Sequence, residues 1–317
     1  MSAALTRPIC VLGLGLIGGS LLRRLSDTGH RTFGYNRSVA TVDAAAADGY
    51  TASSDLVAVL REAAESDALI VLATPFTAAT TMVEAIRDHA PSCLLTDVIS
   101  VKEEVAYLIA RLHPHGRYIG GHPMAGTAHS GWLATDPSLF DGAMWMVTTD
   151  DHTDADDWLA VAHLARAAGS YVVPAANDAH DRAAAAISHN PHLMAAVTAT
   201  VGAGESDLAL RLAAGSFRDG TRVAGTAPDL QRAMLEANSI ALLNTLSTTI
   251  DRLTAARDAL RDNGDVAAII DDGHRARAKY EAIANAQPQA ITGVTVGDDG
   301  WQEELRRQAH RGKVWVG

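Results

Sequence analysis

Apolar residues in the first half of the chain fall in short continuous runs separated by longer stretches of helical spacing. Ile9-Cys10-Val11-Leu12, Arg31 to Tyr35, Leu69 to Ala73, Leu94 to Thr96, Tyr118 to Ile119, Met144 to Val147 and Tyr171 to Val173 predict strands. Runs this apolar suit strands buried on both faces, and their alternation with helical stretches predicts a doubly wound α/β sheet of the Rossmann type. From about Asn177 the strand signals stop. Arg182 to Ala199, Leu208 to Ala214, Leu230 to Leu246 and Asp251 to Arg261 are Ala-rich and helically periodic. Two domains are therefore expected, an α/β domain over 1–177 and a mostly α-helical domain over 178–317, joined without a linker and flanking a cleft. The tail from Gln287 holds an extended Val294-Thr295-Val296-Gly297, an amphipathic piece at Glu303 to Gln308 and a terminal Lys313 to Val316. Too short for a separate regulatory domain, it is expected to brace a dimer, lid the cleft or pack on the surface.

Composition narrows the partners. The 317 residues are 48% hydrophobic and 20% charged, which supports sizeable cores and argues against disorder. A net charge of -11 disfavours nucleic acid and anionic membrane, so an anionic substrate needs a local arginine cluster. Arg7 followed by the apolar Ile9 to Leu22 resembles a signal peptide, but the glycine spacing within it and the want of a cleavage site argue otherwise. No segment sustains the roughly 20 apolar residues of a membrane helix. Cys10 and Cys93 fall at or beside buried strands, the setting of inert thiols, and a cytoplasmic soluble protein is expected.

The candidate chemistry begins at the first strand, which runs into Gly13-x-Gly15-x-x-Gly18 and a helix start. Gly13 suits the tight turn, Gly15 lets a pyrophosphate approach the backbone, and Gly18 allows close helix packing, with phosphates on the helix N-terminus at Leu16 and Ile17. A second strand ends about 20 residues after the turn, where the dinucleotide fingerprint reads the ribose. There the usual acid is replaced by Asn36-Arg37-Ser38, which suits a 2′-phosphate, so NADP is favoured over NAD. Arg37 as a plain surface charge is the alternative. Ligands of such sheets bind beyond the carboxyl ends of the strands, where Thr74-Pro75, Asp97 to Lys102 and His122-Pro123 all fall. His122, in Gly120-Gly121-His122-Pro123-Met124-Ala125-Gly126-Thr127, is placed for chemistry beside a nicotinamide ring. The helical half contributes Ser188-His189-Asn190-Pro191-His192 and Gly215 to Ala224.

The glycine turn, Asp-Val-x-Ser-Val-Lys, Gly-His-Pro-Met-Ala-Gly, Ser-His-x-Pro-His and Phe-Arg-Asp-x-Thr-Arg-Val-Ala occur in the order seen in prephenate and arogenate dehydrogenases of tyrosine biosynthesis, over roughly residues 9 to 224. The chain resembles that family. The resemblance implies a Rossmann domain, a helical dimerisation domain forming a homodimer, and NAD(P)-dependent oxidative decarboxylation of a cyclohexadienol. Neutral His122 would accept the hydroxyl proton as hydride leaves, an imidazole being poised for proton transfer near neutrality. Ser100 matches the family serine that bonds the same hydroxyl or steadies the histidine; it also fits a helix cap before Val101 onward. Arg222 suits the ring carboxylate through bidentate geometry, and Arg218 adds positive field or pairs with Asp219 on a surface turn. Ser188, His192 and Thr127 are assigned to the substrate. A zinc site of His122, His189 and His192 is a competing reading without a supporting carboxylate or cysteine set, as is a helix-end role for either of the last two histidines.

The chain departs from the family pattern where many members carry a glutamate and it has Ala128, and where many carry a tryptophan and it has Gln231. The choice between prephenate, with a keto acid side chain, and arogenate, with an amino acid side chain, stays open. So do two other classes, an NADP-dependent β-hydroxyacid dehydrogenase or imine reductase and a noncatalytic NADP sensor. The first would carry a key lysine or acid where this chain has Ser188 to His192, and the second would need no base opposite the nicotinamide.

Overall fold

The computed structural model describes residues 5–127 and 129–317. The chain divides into two compact units, 1–180 together with 289–317, and 181–288.

In the first unit a parallel sheet has the order β3-β2-β1-β4-β5-β6 and is 6-stranded. Its strands are β1 (Ile9–Leu12), β2 (Thr32–Tyr35), β3 (Ala52–Ser53), β4 (Leu69–Leu72), β5 (Leu95–Asp97) and β6 (Tyr118–Ile119). Every residue of β1 and β4 is buried, as expected of central strands covered on both faces. The covering helices are α1 (Leu16–Asp27), α2 (Val39–Ala47), α3 (Leu56–Glu65), α4 (Ala79–His89) and α5 (Glu103–Leu112). Local chemistry starts two of them: Ser38 and Asp55 cap α2 and α3 by accepting N–H bonds from Thr41 and Ala58. This strand order, with the chain reversing direction at β1, is that of dinucleotide-binding sheets.

The last strands depart from a single continuous sheet. β7 (Gly121–Pro123), β8 (Met144–Thr148) and β9 (Tyr171–Ala175) form a separate 3-stranded sheet, β7 antiparallel to β8 and β8 parallel to β9. The chain crosses from one sheet to the other at Gly120-Gly121, where side chains have no room. A Cβ on Gly120 would lie 2.7 Å from Thr148 Cγ2, and one on Gly121 would lie 2.8 Å from the Asp97 carbonyl oxygen. Hydrogen bonds between Gly120 and Thr148 secure the crossing, N–H to Oγ1 at 2.8 Å and carbonyl from N–H at 2.9 Å.

Between β8 and β9 lies α6 (Ala155–Ala167), capped by Asp154, which accepts from the N–H groups of Asp156 and Asp157. Its Trp158 is fully buried and meets Trp301 and Trp315 edge-on, at ring separations of 5.6 and 5.2 Å. The tail thus packs with the α/β unit, whereas the sequence reading grouped it with the helical half. The physical cause is aromatic burial: the three indoles share one core and so draw the tail onto the α/β unit.

α7 (Asn177–Ala184) leads into the second unit, followed by one π-helical stretch, Ala185–His189, and α8 (Asn190–Glu205), α9 (Asp207–Leu212), α10 (Gly215–Thr221), α11 (Pro228–Ala237), α12 (Ser239–Asn263) and α13 (Ala267–Ala284). α14 (Trp301–Ala309) belongs to the tail. The expected helix over Leu230 to Leu246 is two helices broken at Asn238, which is buried and donates to the Asp181 carbonyl at 2.8 Å while bonding His189 Nδ1 at 2.9 Å. Among the described residues no helix is long and apolar enough to cross a membrane.

Candidate active site

The glycine turn is shaped for a dinucleotide. Gly13 has φ +109, and a Cβ there would sit 2.7 Å from the Ala73 carbonyl oxygen. On Gly18 a Cβ would run into the Gly13 carbonyl oxygen and the Ala73 side chain, so this position welds α1 onto β1 and β4. At Gly15 a Cβ would meet nothing within 4 Å. Two glycines therefore serve packing, whereas the third keeps open the space in front of the α1 N-terminus. That terminus has no side-chain cap and no acid in its first turn, leaving its N–H groups, including those of Leu16 and Ile17, to an anion. At the end of β4 the Thr74 hydroxyl oxygen is buried without a hydrogen-bond partner, and Pro75 leads into a short 3₁₀ turn. These features fit the dinucleotide that the sequence implies.

After β2, Asn36 Oδ1 accepts from Ser38 N–H at 3.0 Å and Ser38 Oγ accepts from Thr41 N–H at 3.3 Å. The remaining polar hydrogens, the Asn36 amide and the Ser38 hydroxyl, are donors. Arg37 is exposed and makes no ion pair among the described residues.

Asp97, at the end of β5, organises the other side of the sheet. Its side chain is completely buried and ion-paired with the equally buried Lys102. One carboxylate oxygen also accepts from Ile99 N–H at 2.8 Å; the other accepts from the Tyr118 hydroxyl at 2.7 Å and Gly121 N–H at 3.4 Å. Lys102 also donates to the Gly121 carbonyl at 2.8 Å. One ion pair thereby fixes the residues immediately before Ser100 and His122. Ser100 is half-buried but is not a helix cap: α5 begins at Glu103, with Lys102 at the cap position, because Lys102 is drawn inward to Asp97.

His122 lies on β7 opposite Met146, a strand that its own sequence does not announce. Its Nδ1 is 2.8 Å from Nε2 of His180, which sits on α7 and is 6% exposed, and the rings meet edge-on at 5.0 Å. Sequence reasoning passed over His180, Asp97 and Lys102. The acid and lysine stood inside a quoted motif, but His180 had no local signal. Thr127 is exposed, and its hydroxyl donates to the His129 carbonyl at 3.4 Å and accepts from the His129 N–H at 3.2 Å, while Ala128 lies outside the described residues.

Within the second unit, Ser188 is half-buried on the π-helical stretch and His189 is buried against Asn238. His192 on α8 is half-buried; burial, and secondarily the nearby Arg222 charge, hold its pKa below the ordinary value and keep it neutral near pH 7. Gln231 donates to the Val223 carbonyl at 2.5 Å and lies 3.4 Å from His192 Nδ1, linking α11 to the turn that carries Arg222. Arg222 is exposed and forms no ion pair among the described residues, whereas Arg218 on helix α10 is engaged with Asp219 at 3.2 Å.

The family model "Prephenate dehydrogenase, nucleotide-binding domain" matches residues 20–173, and "Prephenate dehydrogenase, dimerization domain" matches residues 176–270. The chain is 30% identical to the prephenate dehydrogenase of Bacillus subtilis over 78% of its own length and 69% of that protein. A structure named as a candidate prephenate dehydrogenase from Corynebacterium glutamicum is 44% identical with a TM-score of 0.92, covering 98% of both chains. Synechocystis arogenate dehydrogenase is 31% identical with a TM-score of 0.74, over 86% of this chain and 99% of that one. The chain belongs to the prephenate dehydrogenase family.

Proposed function

We propose that the protein oxidatively decarboxylates prephenate or arogenate in tyrosine biosynthesis, with NADP as the preferred acceptor. The observation that carries the reading is the Asp97 hub, which ties the backbone before both Ser100 and His122 at the carboxyl ends of adjacent strands. A base and a hydroxyl partner held there meet the needs of alcohol oxidation.

The substrate ring bears a hydroxyl at one end and a carboxylate at the other. His122 accepts the hydroxyl proton while Ser100 hydrogen-bonds the same oxygen. The bound dinucleotide supplies the acceptor for the hydride leaving the carbinol carbon. Loss of the ring carboxylate as carbon dioxide then delivers its electron pair into the dienone, and the ring oxygen takes back a proton as the ring becomes aromatic. Arg222 binds the ring carboxylate through its planar guanidinium; its lack of an ion-pair partner among the described residues supports it over Arg218, which is engaged with Asp219. Because a carboxylate held by an arginine is also stabilised against leaving, Arg222 serves binding more than the chemical step. Ser188, neutral His192 and Thr127 serve the substrate side chain.

Preference for NADP is supported by Asn36, Arg37 and Ser38, which offer donors and a positive charge where an acid would repel a 2′-phosphate. A homodimer through the helical unit is supported by the dimerisation-domain match and by exposed apolar side chains on α12 and α13, among them Ile240, Leu243, Ile270 and Ile283. The test is absorbance of reduced nicotinamide with purified protein, crossing prephenate and arogenate with NAD and NADP. Reduction with NADP and one of the two substrates is expected. Silence in all four combinations, with cofactor binding demonstrated, refutes the reading.

A further inference from the structure

A histidine that takes a proton through Nε2 must hold its resting proton on Nδ1, whereas free histidine favours Nε2. Something must therefore set the tautomer of His122. His122 Nδ1 faces His180 Nε2 at 2.8 Å, inside one compact unit, and His180 is almost fully buried. Between two imidazole nitrogens at this separation one ring donates and the other accepts. If His180 donated, the His122 proton would lie on Nε2 and the ring could not act as a base. If His122 donates, its Nε2 carries the lone pair.

We propose that His180 is the positioning residue of His122: it accepts the Nδ1–H bond, fixes the base-competent tautomer and keeps that bond while the imidazolium exists. This rests on the reading of His122 as the base. In the step itself the substrate O–H bond breaks and its proton moves to His122 Nε2. The electron pair of the carbinol C–H bond leaves as hydride to the bound dinucleotide, and the carbon–oxygen double bond forms. His122, now protonated on both nitrogens, goes on donating through Nδ1 to His180, which neither gains nor loses a proton. When the carboxylate leaves, the proton on Nε2 returns to the ring oxygen. His180 thus fills with a neutral ring the place that a buried carboxylate holds in a Ser-His-Asp triad, where orientation and tautomer are the contribution.

The sequence distance explains why this pairing has no linear signature. His122 is brought in by β7 pairing on β8, and His180 by α7 following β9, so the small second sheet is what joins them.

The test uses the full-length protein and two substitutions. His180→Gln keeps an amide oxygen near the place of Nε2, and His180→Leu removes the acceptor at similar bulk. With whichever substrate is turned over, His180→Leu is expected to lower kcat by about 10²-fold while KM stays within about twofold, and His180→Gln to recover at least about tenfold of the loss. Nitrogen-15 spectra of histidine-labelled protein without substrate supply a readout that packing alone would not move. The signals lost in His122→Asn should report an Nδ1-protonated ring in the native protein and an Nε2-protonated ring in His180→Leu. An Nε2-protonated His122 in the native protein overturns the proposal, as does native kcat in His180→Leu, or equal loss in folded Leu and Gln variants. Should His180→Leu fail to fold, the native spectrum and the Gln variant still decide. If His122→Asn itself turns over normally, the base reading falls; if His122→Asn is inactive and His180→Leu is not, only the pairing falls.

Discussion

Removing either member of the Asp97–Lys102 pair should destabilise the α/β unit strongly, and removing both should cost far less than the sum. Both side chains have 0% exposure, so neither charge can find water when its partner is lost. Lys102→Met leaves the Asp97 carboxylate with only neutral donors, Tyr118 and the Ile99 and Gly121 N–H groups. Asp97→Asn leaves an ammonium facing the Gly121 carbonyl and an amide. Breaking a buried pair in this way costs roughly 3–5 kcal/mol, whereas replacing the whole pair by neutral groups of similar volume is often close to neutral. At roughly 2–4 °C per kcal/mol, each single variant should melt roughly 6–20 °C below the native protein, and the double variant no lower than the worse single one. All 5 tryptophans, Trp132, Trp145, Trp158, Trp301 and Trp315, belong to this unit, so their fluorescence follows its unfolding alone. Additive losses in the double-mutant cycle, or single variants melting within about 2 °C of native, would refute the argument that the pair is desolvated and interdependent.

Other perturbations follow from the same geometry. Gly15→Ala should fold normally yet weaken dinucleotide binding, because its Cβ enters open space at the phosphate position, whereas Gly18→Ala should lower the melting temperature through its clash with the Gly13 carbonyl; equal melting losses would contradict this. Arg37→Ala should raise the Kd for NADP and leave that for NAD unchanged, and parallel effects on both would remove Arg37 from the 2′-phosphate. Arg222→Ala should chiefly raise the substrate KM, so an unaltered KM places the ring carboxylate elsewhere. Burial pulls the pKa of His113 and His163 below the ordinary 6.5. Between the depressed and the ordinary value the unfolded chain binds more protons, so stability is complete above about pH 6.5 and drains as pH falls below it. Tryptophan-monitored denaturant titrations at pH 8 and pH 5.5 should show the lower midpoint at pH 5.5, and no change would count against neutral burial.

What could be read from the sequence follows from where information is local. β1 and β4 were legible because burial on both faces forces an unbroken apolar run, and the glycine turn because each glycine answers a local steric demand. β7 was not, since Gly121-His122-Pro123 has little strand propensity and becomes a strand only by pairing with β8. The Leu230 to Leu246 periodicity hid the break at Asn238, whose cause is a contact with Asp181 and His189 remote in sequence. Ser100 fits a cap by its position before Val101 onward; the burial of Lys102 on Asp97 moves the helix start to Glu103. His122, Ser100 and Arg222 stand out by residue type and motif; Asp97, which ties the backbone before Ser100 and His122, lies within one of those motifs but takes its role from contacts across the fold, and His180 has no local signal at all.

His122 is proposed as the proton acceptor at the reacting hydroxyl. The most direct test is His122→Asn, with turnover and cofactor affinity measured on the same preparation. Turnover is expected to fall by about 10²-fold or more with cofactor affinity nearly unchanged. Turnover close to that of the native protein would contradict it.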